Sequence, residues 1–281
     1  MMADLSLPGR DPRRAAPSPL DALFARCRAE GRAALIAYLP AGFPSYDEAV
    51  AAMVAMVEAG VDAVEVGMPY SDPLMEGPVI AAAHQASLDA GTRQADVLRT
   101  VEAVAATGAP TLVMGYWNPV HRYGFRRWAQ ALADAGGVGA ITPDLIPEEA
   151  PEWLAACVEL GLDPVFLVAP SSTDERIAVV GRTNRGFVYA AAVMGVTGAR
   201  TQVGSGARAL VERVRAQTAL PVAVGLGVST AVQAAEVAGF ADGVVVGSAL
   251  VRAVQGGGVD AVRRLAAELA EGVRSGATTP R

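Results

Sequence analysis

Short β-branched apolar runs alternate with longer stretches of helical periodicity along most of the chain. The strand patterns cover Ala34–Leu39, Asp62–Val66, Thr111–Gly115, Gly139–Thr142, Pro164–Val168, Gly186–Ala190, Pro221–Val224 and Gly243–Val246. Helical patterns fill the intervals, at Tyr46–Ala59, Ala95–Thr107, Gly124–Ala135, Pro147–Leu160, Asp174–Val180, Ser205–Gln217, Thr230–Ala238 and Gly258–Glu271. A further helical stretch, Val79–Ala90, separates the second strand from its main helix. Such alternation implies parallel strands joined by helical crossovers. Eight units of this kind predict an α/β fold of the (β/α)8 TIM-barrel class. An open doubly wound sheet is disfavoured, because the first strand lacks the G-x-G-x-x-G fingerprint of that fold.

Start signals agree with these elements. Ser45 with Glu48, and Ser172 with Glu175, have the spacing of capping boxes. Pro147 followed by Glu148 and Glu149 suits a helix's first turn, where the backbone dipole favours anions. Residues 1–19 carry three arginines, four prolines and little apolar pattern, and read as a disordered tail. Residues 20–281 then form one catalytic barrel domain, a length such barrels commonly reach.

Composition narrows the chemistry. The chain is 52 % hydrophobic and 19 % charged, which fits a packed globule, and its net charge of −6 disfavours nucleic acid and anionic membranes. Two cysteines without C-x-x-C spacing read as free thiols in a cytoplasmic protein. The two histidines, His84 and His121, lie far apart with no H-E-x-x-H pattern, so neither a metal nor a cofactor is expected. All 23 basic residues are arginines. Without lysine, no Schiff base forms on this chain.

The residues from Asp62 to Pro78 carry the strongest chemical signal. Alternation along the strand puts Ala63, Glu65 and Gly67 on one face, Val64 and Val66 on the other. The valines suit the helix-facing side, so Glu65 is expected in the barrel lumen near the mouth. A desolvated glutamate there has a raised pKa and exchanges protons near neutrality. The bland alternative is a glutamate held in a buried salt bridge. The Pro- and Gly-rich loop that follows carries Asp72, read as a local turn cap, and Glu76, a second candidate acid. Small residues after the last three strands, Val196–Ala199, Gly225–Ser229 and Gly247–Ala249, suit a phosphate cradle with a helix N-terminus. Tyr38, Tyr116, Trp117 and Tyr189 lie near strand ends and suit the wall of a pocket for a flat ring. The residues alone thus give a barrel that binds a phosphate ester beside two carboxylates and performs acid–base cleavage or isomerisation.

From roughly Leu23 to Ala270 the chain resembles the tryptophan synthase α-subunit family. The resemblance rests on Tyr38–Pro44, Val64–Gly67 with Pro69–Leu74 and Gly77-Pro78, Tyr116–Pro119, Asp144-Leu145, Tyr189 with Gly195–Ala199, Gly225–Ser229 and Gly247–Ala249. It implies a lyase of tryptophan biosynthesis that splits indole-3-glycerol phosphate into indole and glyceraldehyde 3-phosphate by a retro-aldol step. Glu65 falls on the family's general acid/base, and Glu76 on its second catalytic carboxylate. Tyr38, Tyr116, Tyr189 and Thr197 would contact the substrate; Gly198, Gly227, Gly247 and Ser248 would hold its phosphate. The loop around Val193–Gln202 would close over the ligand. The family usually has aspartate where this chain has Glu76, and a shift of about 1 Å in a reacting group can cost on the order of a hundredfold in rate. The stretch Ala192-Val193 is also less polar than in many relatives. The resemblance further implies a pyridoxal-phosphate β subunit as partner in an α2β2 assembly, with Pro69, Tyr70, Trp117 and Pro119 on loops facing it. A stand-alone indole-releasing lyase and a weakened barrel that only activates the β subunit remain open beside it.

Overall fold

The computed structural model describes residues 17–192, 205–225 and 227–276. Its first element is helix α1 (Pro19–Ala29), which opens at Ser18, inside the stretch that the sequence pattern assigns to the tail. Ser18 accepts from the Asp21 N–H at 3.1 Å and donates its own N–H to the Asp21 carboxylate at 2.9 Å, a reciprocal capping box. Strand β1 (Ala34–Pro40), α2 (Tyr46–Glu58), β2 (Ala63–Gly67), α3 (Pro78–Asp89), α4 (Gln94–Ala105) and β3 (Thr111–Met114) follow. Then come α5 (Trp117–Tyr123), α6 (Phe125–Asp134), β4 (Gly139–Ile141), a 3-10 turn at Pro147–Glu149, α7 (Pro151–Leu160), β5 (Asp163–Val165) and β6 (Leu167–Val168). The chain closes with α8 (Asp174–Thr183), β7 (Val188–Ala191), α9 (Ser205–Gln217), β8 (Val222–Gly225), α10 (Ala231–Ala238), β9 (Gly243–Val246) and α11 (Ser248–Ser275).

All strand pairs are parallel, in the order β5-β4-β3-β2-β1-β9-β8-β7-β6. Only Phe166 separates β5 from β6, so the two ends of this order are halves of one strand position. The sheet therefore returns on itself as an eight-position (β/α)8 barrel, as the alternating pattern predicts. The predicted fifth strand is broken at Phe166, where the Asn184 side chain takes the place of a strand neighbour. Its Oδ1 accepts from the Phe166 N–H at 3.0 Å, and its Nδ2 donates to the Phe166 and Phe187 carbonyls at 2.9 and 3.1 Å. A buried backbone break is tolerated because its polar groups are matched.

Four smaller expectations change. Trp117 and Pro119 sit in helix α5, not in a loop. The helix expected at Pro147 begins as a single 3-10 turn and restarts at Pro151, because Pro151 donates no N–H to a continuous ladder. The cap of α8 is Thr173, which accepts from the Arg176 N–H at 3.2 Å, one residue after the expected Ser172. The final helix is kinked at Gly257 and Gly258, the latter with φ +60°, so the expected short helix at Ser248 and the long one after Gly258 run on as one kinked element.

Period-two alternation sorts the strand residues into two cores. Leu35, Ala37, Leu39, Val64, Val66, Val113, Val244 and Val246 face the helices. Ala34, Ile36, Ala63, Leu112, Ile141, Val165, Ala223 and Val245 fill the barrel. Leu20, Leu23, Phe24 and Cys27 of α1, spaced on one helical face, pack into the same interior cluster. Leu20 lies against Gly186 and Phe24 against Gly243, both at strand beginnings, so α1 plugs the N-terminal end of the barrel. At that end Asp62 accepts from the Leu35 N–H at 2.9 Å and from Arg32 Nη1 and Nη2 at 2.7 and 2.8 Å. The C-terminal end is left open.

Candidate active site

A cleft of about 670 Å³, mouth included, opens at the C-terminal ends of the strands. Its wall is built from inward positions, among them Tyr38 on β1, Glu65 on β2, Met114 on β3, Tyr189 and Ala191 on β7, Gly225 on β8 and Val245 on β9. Tyr38, Glu65, Met114, Ala191 and Gly225 each stand two residues beyond a residue of the interior core on the same strand, so the alternation that packs the barrel also aims these positions into the cleft.

Glu65 is fully buried, and neither carboxyl oxygen has a hydrogen-bond partner among the described residues. Burial alone pushes its pKa up to about 8. No described side chain pairs with it, so the carboxyl is not held in a buried salt bridge among the described residues. The neighbouring tyrosines are engaged differently. Tyr38 and Tyr189 line the cleft, and burial, reinforced by the nearby carboxylates, raises both phenols well above their ordinary range. The Tyr189 ring lies on Gly225, where an added Cβ would approach its hydroxyl within 2.6 Å, so glycine there makes room for the ring. The Tyr38 hydroxyl reaches α3, 2.6 Å from His84 Nε2.

Glu76 also lines the cleft, on the loop between β2 and α3. Tyr116 stands behind it. The sequence suggests Tyr116 and Trp117 as pocket wall, but neither is on the lining. Tyr116 is buried, its hydroxyl donates to Glu76 Oε2, and it accepts the N–H groups of Leu74 at 2.7 Å and Met75 at 3.0 Å. One phenol thus uses its donor and both acceptor positions to hold the loop and its carboxylate. Tyr70 stacks on the same ring at 5.0 Å. Asp72 is exposed and accepts from the neighbouring Ser71 hydroxyl at 2.6 Å, a local contact outside the cleft. Trp117 opens α5 with its N–H on Asp144 Oδ1 at 2.8 Å and packs edge-on against Trp153.

Across the cleft lie Gly225, Gly227, Gly247 and Ser248. Gly227 has φ +77°, a conformation glycine adopts without strain. Gly247 caps α11 and Ser248 is its first residue, so the first N–H groups of that helix, which have no intrahelical acceptor, lie at the cleft. Thr197 and Gly198, together with the rest of the expected closing loop, lie outside the described residues. The sequence reading missed the apolar lining, Met75, Ile80, Met114, Leu167, Ala191 and Val245. For Met114, Ala191 and Val245 the signal was available, since each is an inward position near a strand's C-terminal end. His84, a lone histidine in a helical pattern, gave none.

A closed parallel barrel with an unpaired acid and a helix N-terminus facing one cleft at its C-terminal end defines a barrel enzyme. Comparison with known families and structures then fixes which. The family model for the tryptophan synthase alpha chain matches residues 24–276, and the chain belongs to that family. It is 60 % identical over 252 residues to the tryptophan synthase alpha chain of Acidothermus cellulolyticus, covering 89 % of this chain and 94 % of that one. It is 57 % identical over 257 residues to that of Mycobacterium avium, covering 92 % and 95 %. Among solved structures, tryptophan synthase from Mycobacterium tuberculosis superposes with a TM-score of 0.89 at 56 % identity, covering 92 % of this chain and 99 % of that one. The alpha subunit from Legionella pneumophila superposes with a TM-score of 0.84 at 31 % identity, covering 92 % and 99 %.

Proposed function

We propose that this chain cleaves indole-3-glycerol phosphate to indole and glyceraldehyde 3-phosphate, as the α subunit of tryptophan synthase in tryptophan biosynthesis. The observation that carries the reading is Glu65, a carboxyl buried at the barrel mouth with no partner among the described residues and a pKa of about 8. In its neutral form it donates a proton to the indole ring carbon that bears the side chain. Glu65, now a carboxylate, takes the proton of the adjacent side-chain hydroxyl; that oxygen becomes the aldehyde carbonyl and the carbon–carbon bond to the ring breaks. The electron pair of that bond returns to the ring, and Glu65 ends the cycle protonated. General acid–base participation of this kind contributes roughly 10²–10⁴ in rate.

Glu76, held by Tyr116, accepts the ring N–H and steadies the positive charge that develops there. Tyr38 and Tyr189 flank the ring and side chain. Gly227, Gly247 and Ser248, with Gly198, take the phosphate on backbone N–H groups at the start of α11. The reaction needs neither metal nor cofactor in this account.

The partner is the pyridoxal-phosphate β subunit, in an α2β2 assembly. Leu74 and Ile146, exposed large apolar side chains on the loops after β2 and β4, suit contact with it. Of the four rim residues suggested by sequence, Pro69 is buried and Tyr70, Trp117 and Pro119 are half-buried, so Leu74 and Ile146 present more apolar surface. No helix among the described residues is long and apolar enough to cross a membrane, and Cys27 and Cys157 are free. Both fit a cytoplasmic enzyme.

The test is indole release from indole-3-glycerol phosphate by the purified chain, with and without a tryptophan synthase β subunit. Activity that rises strongly with the β subunit is expected. Full activity without it would favour a stand-alone lyase, and no release in either condition would overturn the reading.

A further inference from the structure

We infer that Met75 and Met114 form an oxidation site on the wall of the cleft, at which a hydroperoxide converts the thioethers to sulfoxides and weakens binding of the substrate's ring. The effect on binding rests on the reading of this cleft as the place where the indole lies; the site itself does not.

The chain has eight methionines. Met53 and Met56 on α2 are 0 % exposed, and Met68 after β2 is 2 % exposed. Met75 and Met114 are half-buried, and both line the cleft. Met1, Met2 and Met194 lie outside the described residues. The thiols, which commonly meet an oxidant first, are withdrawn. Cys27 and Cys157 are both buried, and burial raises both above the ordinary thiol range, so neither supplies a reactive thiolate. A peroxide that diffuses into the cleft therefore meets two thioethers and no thiol.

The fold holds both residues at the place where a flat ring would lie. Met114 ends β3 as the register partner of Gly67, one inward step beyond Leu112, the partner of Glu65. Met75 directly precedes Glu76, and its N–H is held by the Tyr116 hydroxyl at 3.0 Å. With Ile80, Leu167, Ala191 and Val245 the two make up the apolar part of the lining. A thioether against an aromatic ring is a favourable contact, and the unbranched side chain adapts to the shape of the ring. In the oxidation a sulfur lone pair attacks the terminal oxygen of the peroxide. The S–O bond forms as the O–O bond breaks, and the proton on the attacked oxygen passes to the departing one, which leaves as water or an alcohol. The sulfur is oxidised and the peroxide reduced, one for one. The sulfoxide is polar and chiral, and it sets a dipole against the ring where an apolar wall stood. A thiol-dependent methionine sulfoxide reductase reverses the step and returns the oxygen as water.

The test is a titration of the full chain with hydrogen peroxide, quenched with catalase, followed by peptide mass mapping and by indole release after addition of untreated β subunit. Fragment masses should place the first added oxygen atoms on Met75 and Met114, ahead of Met53, Met56 and Met68. The KM for indole-3-glycerol phosphate should rise on the order of tenfold in step with them, with a smaller change in kcat. A sulfoxide reductase with a thiol should restore both the masses and the KM. The double variant Met75→Leu with Met114→Leu, measured against its own untreated rate, should keep most of its activity at a peroxide dose that disables the wild type. First oxidation at Met53, Met56 or Met68 would overturn the inference. So would a double variant that loses activity in step with the wild type, because the damage would then lie elsewhere, for example at Met194. If the untreated chain released no indole, the acid/base reading would fall instead. Calorimetric binding of indole before and after peroxide would then decide this inference, and an unchanged affinity would refute it.

Discussion

Glu65 has the largest consequence of any single residue. In the folded chain its pKa is raised to about 8, whereas in the unfolded chain it titrates in the ordinary carboxylic range near 4.5. Between those two values the folded state holds a proton that the unfolded state has lost. Stability therefore falls as pH rises across this window, by about 1.4 kcal/mol per pH unit at most. Below the window both states are protonated, and above it both are ionised with the full penalty in place. Glu65→Gln removes the titration, so its stability relative to wild type should climb between pH 5 and pH 8 in denaturant unfolding. A constant difference over that range would mean that the carboxyl finds a partner in solution. Glu76 shows the complementary arrangement, since Tyr116 donates to it and ties down the backbone on its N-terminal side. The loop that carries this carboxylate is gathered around one phenol.

At the scale of elements, the strand interrupted at Phe166 depends on one side chain. Asn184→Ala would leave the Phe166 N–H and two carbonyls without partners in the interior. Each such loss costs about 1–3 kcal/mol, and a total of about 3 kcal/mol is expected in urea denaturation. A cost below about 1 kcal/mol would mean that water replaces the amide. Residues such as Val64, Val66, Val244 and Val246 made the strands legible, because helix-facing positions of a parallel barrel are predominantly apolar and leave a clear period. What the sequence concealed were elements whose signal is short or masked. Helix α1 has its apolar positions at Leu20, Leu23, Phe24 and Cys27, but it begins amid the prolines and arginines of the tail. Helix α5 spans 7 residues with a proline inside its first turn, too little for a period to emerge. The break at Phe166 is set by Asn184, a tertiary contact 18 residues away that local pattern does not encode. The acids and glycines of the site were visible because they interrupt apolar runs. His84 and the apolar lining were not, since nothing local distinguishes them from core.

Across the whole molecule the two ends of the barrel treat buried charge in opposite ways. Asp62 and Asp163, at the N-terminal end, are paired with Arg32 and Arg185 at 2.7 and 3.1 Å. That end is sealed by α1 and contributes stability. At the C-terminal end Glu65 has no cation beside it among the described residues, and the cleft opens over it. An unpaired buried acid destabilises the fold and persists where chemistry needs it. The division matches a barrel in which one face holds the fold together and the other performs the reaction.

The most direct test of that claim is single-turnover cleavage of indole-3-glycerol phosphate by the Glu65→Gln chain in complex with the β subunit. Gln keeps the shape and removes the transferable proton. Substrate binding should persist while indole release falls on the order of a thousandfold or more. Release within a few fold of wild type would contradict the account, because the proton would then have to come from another group.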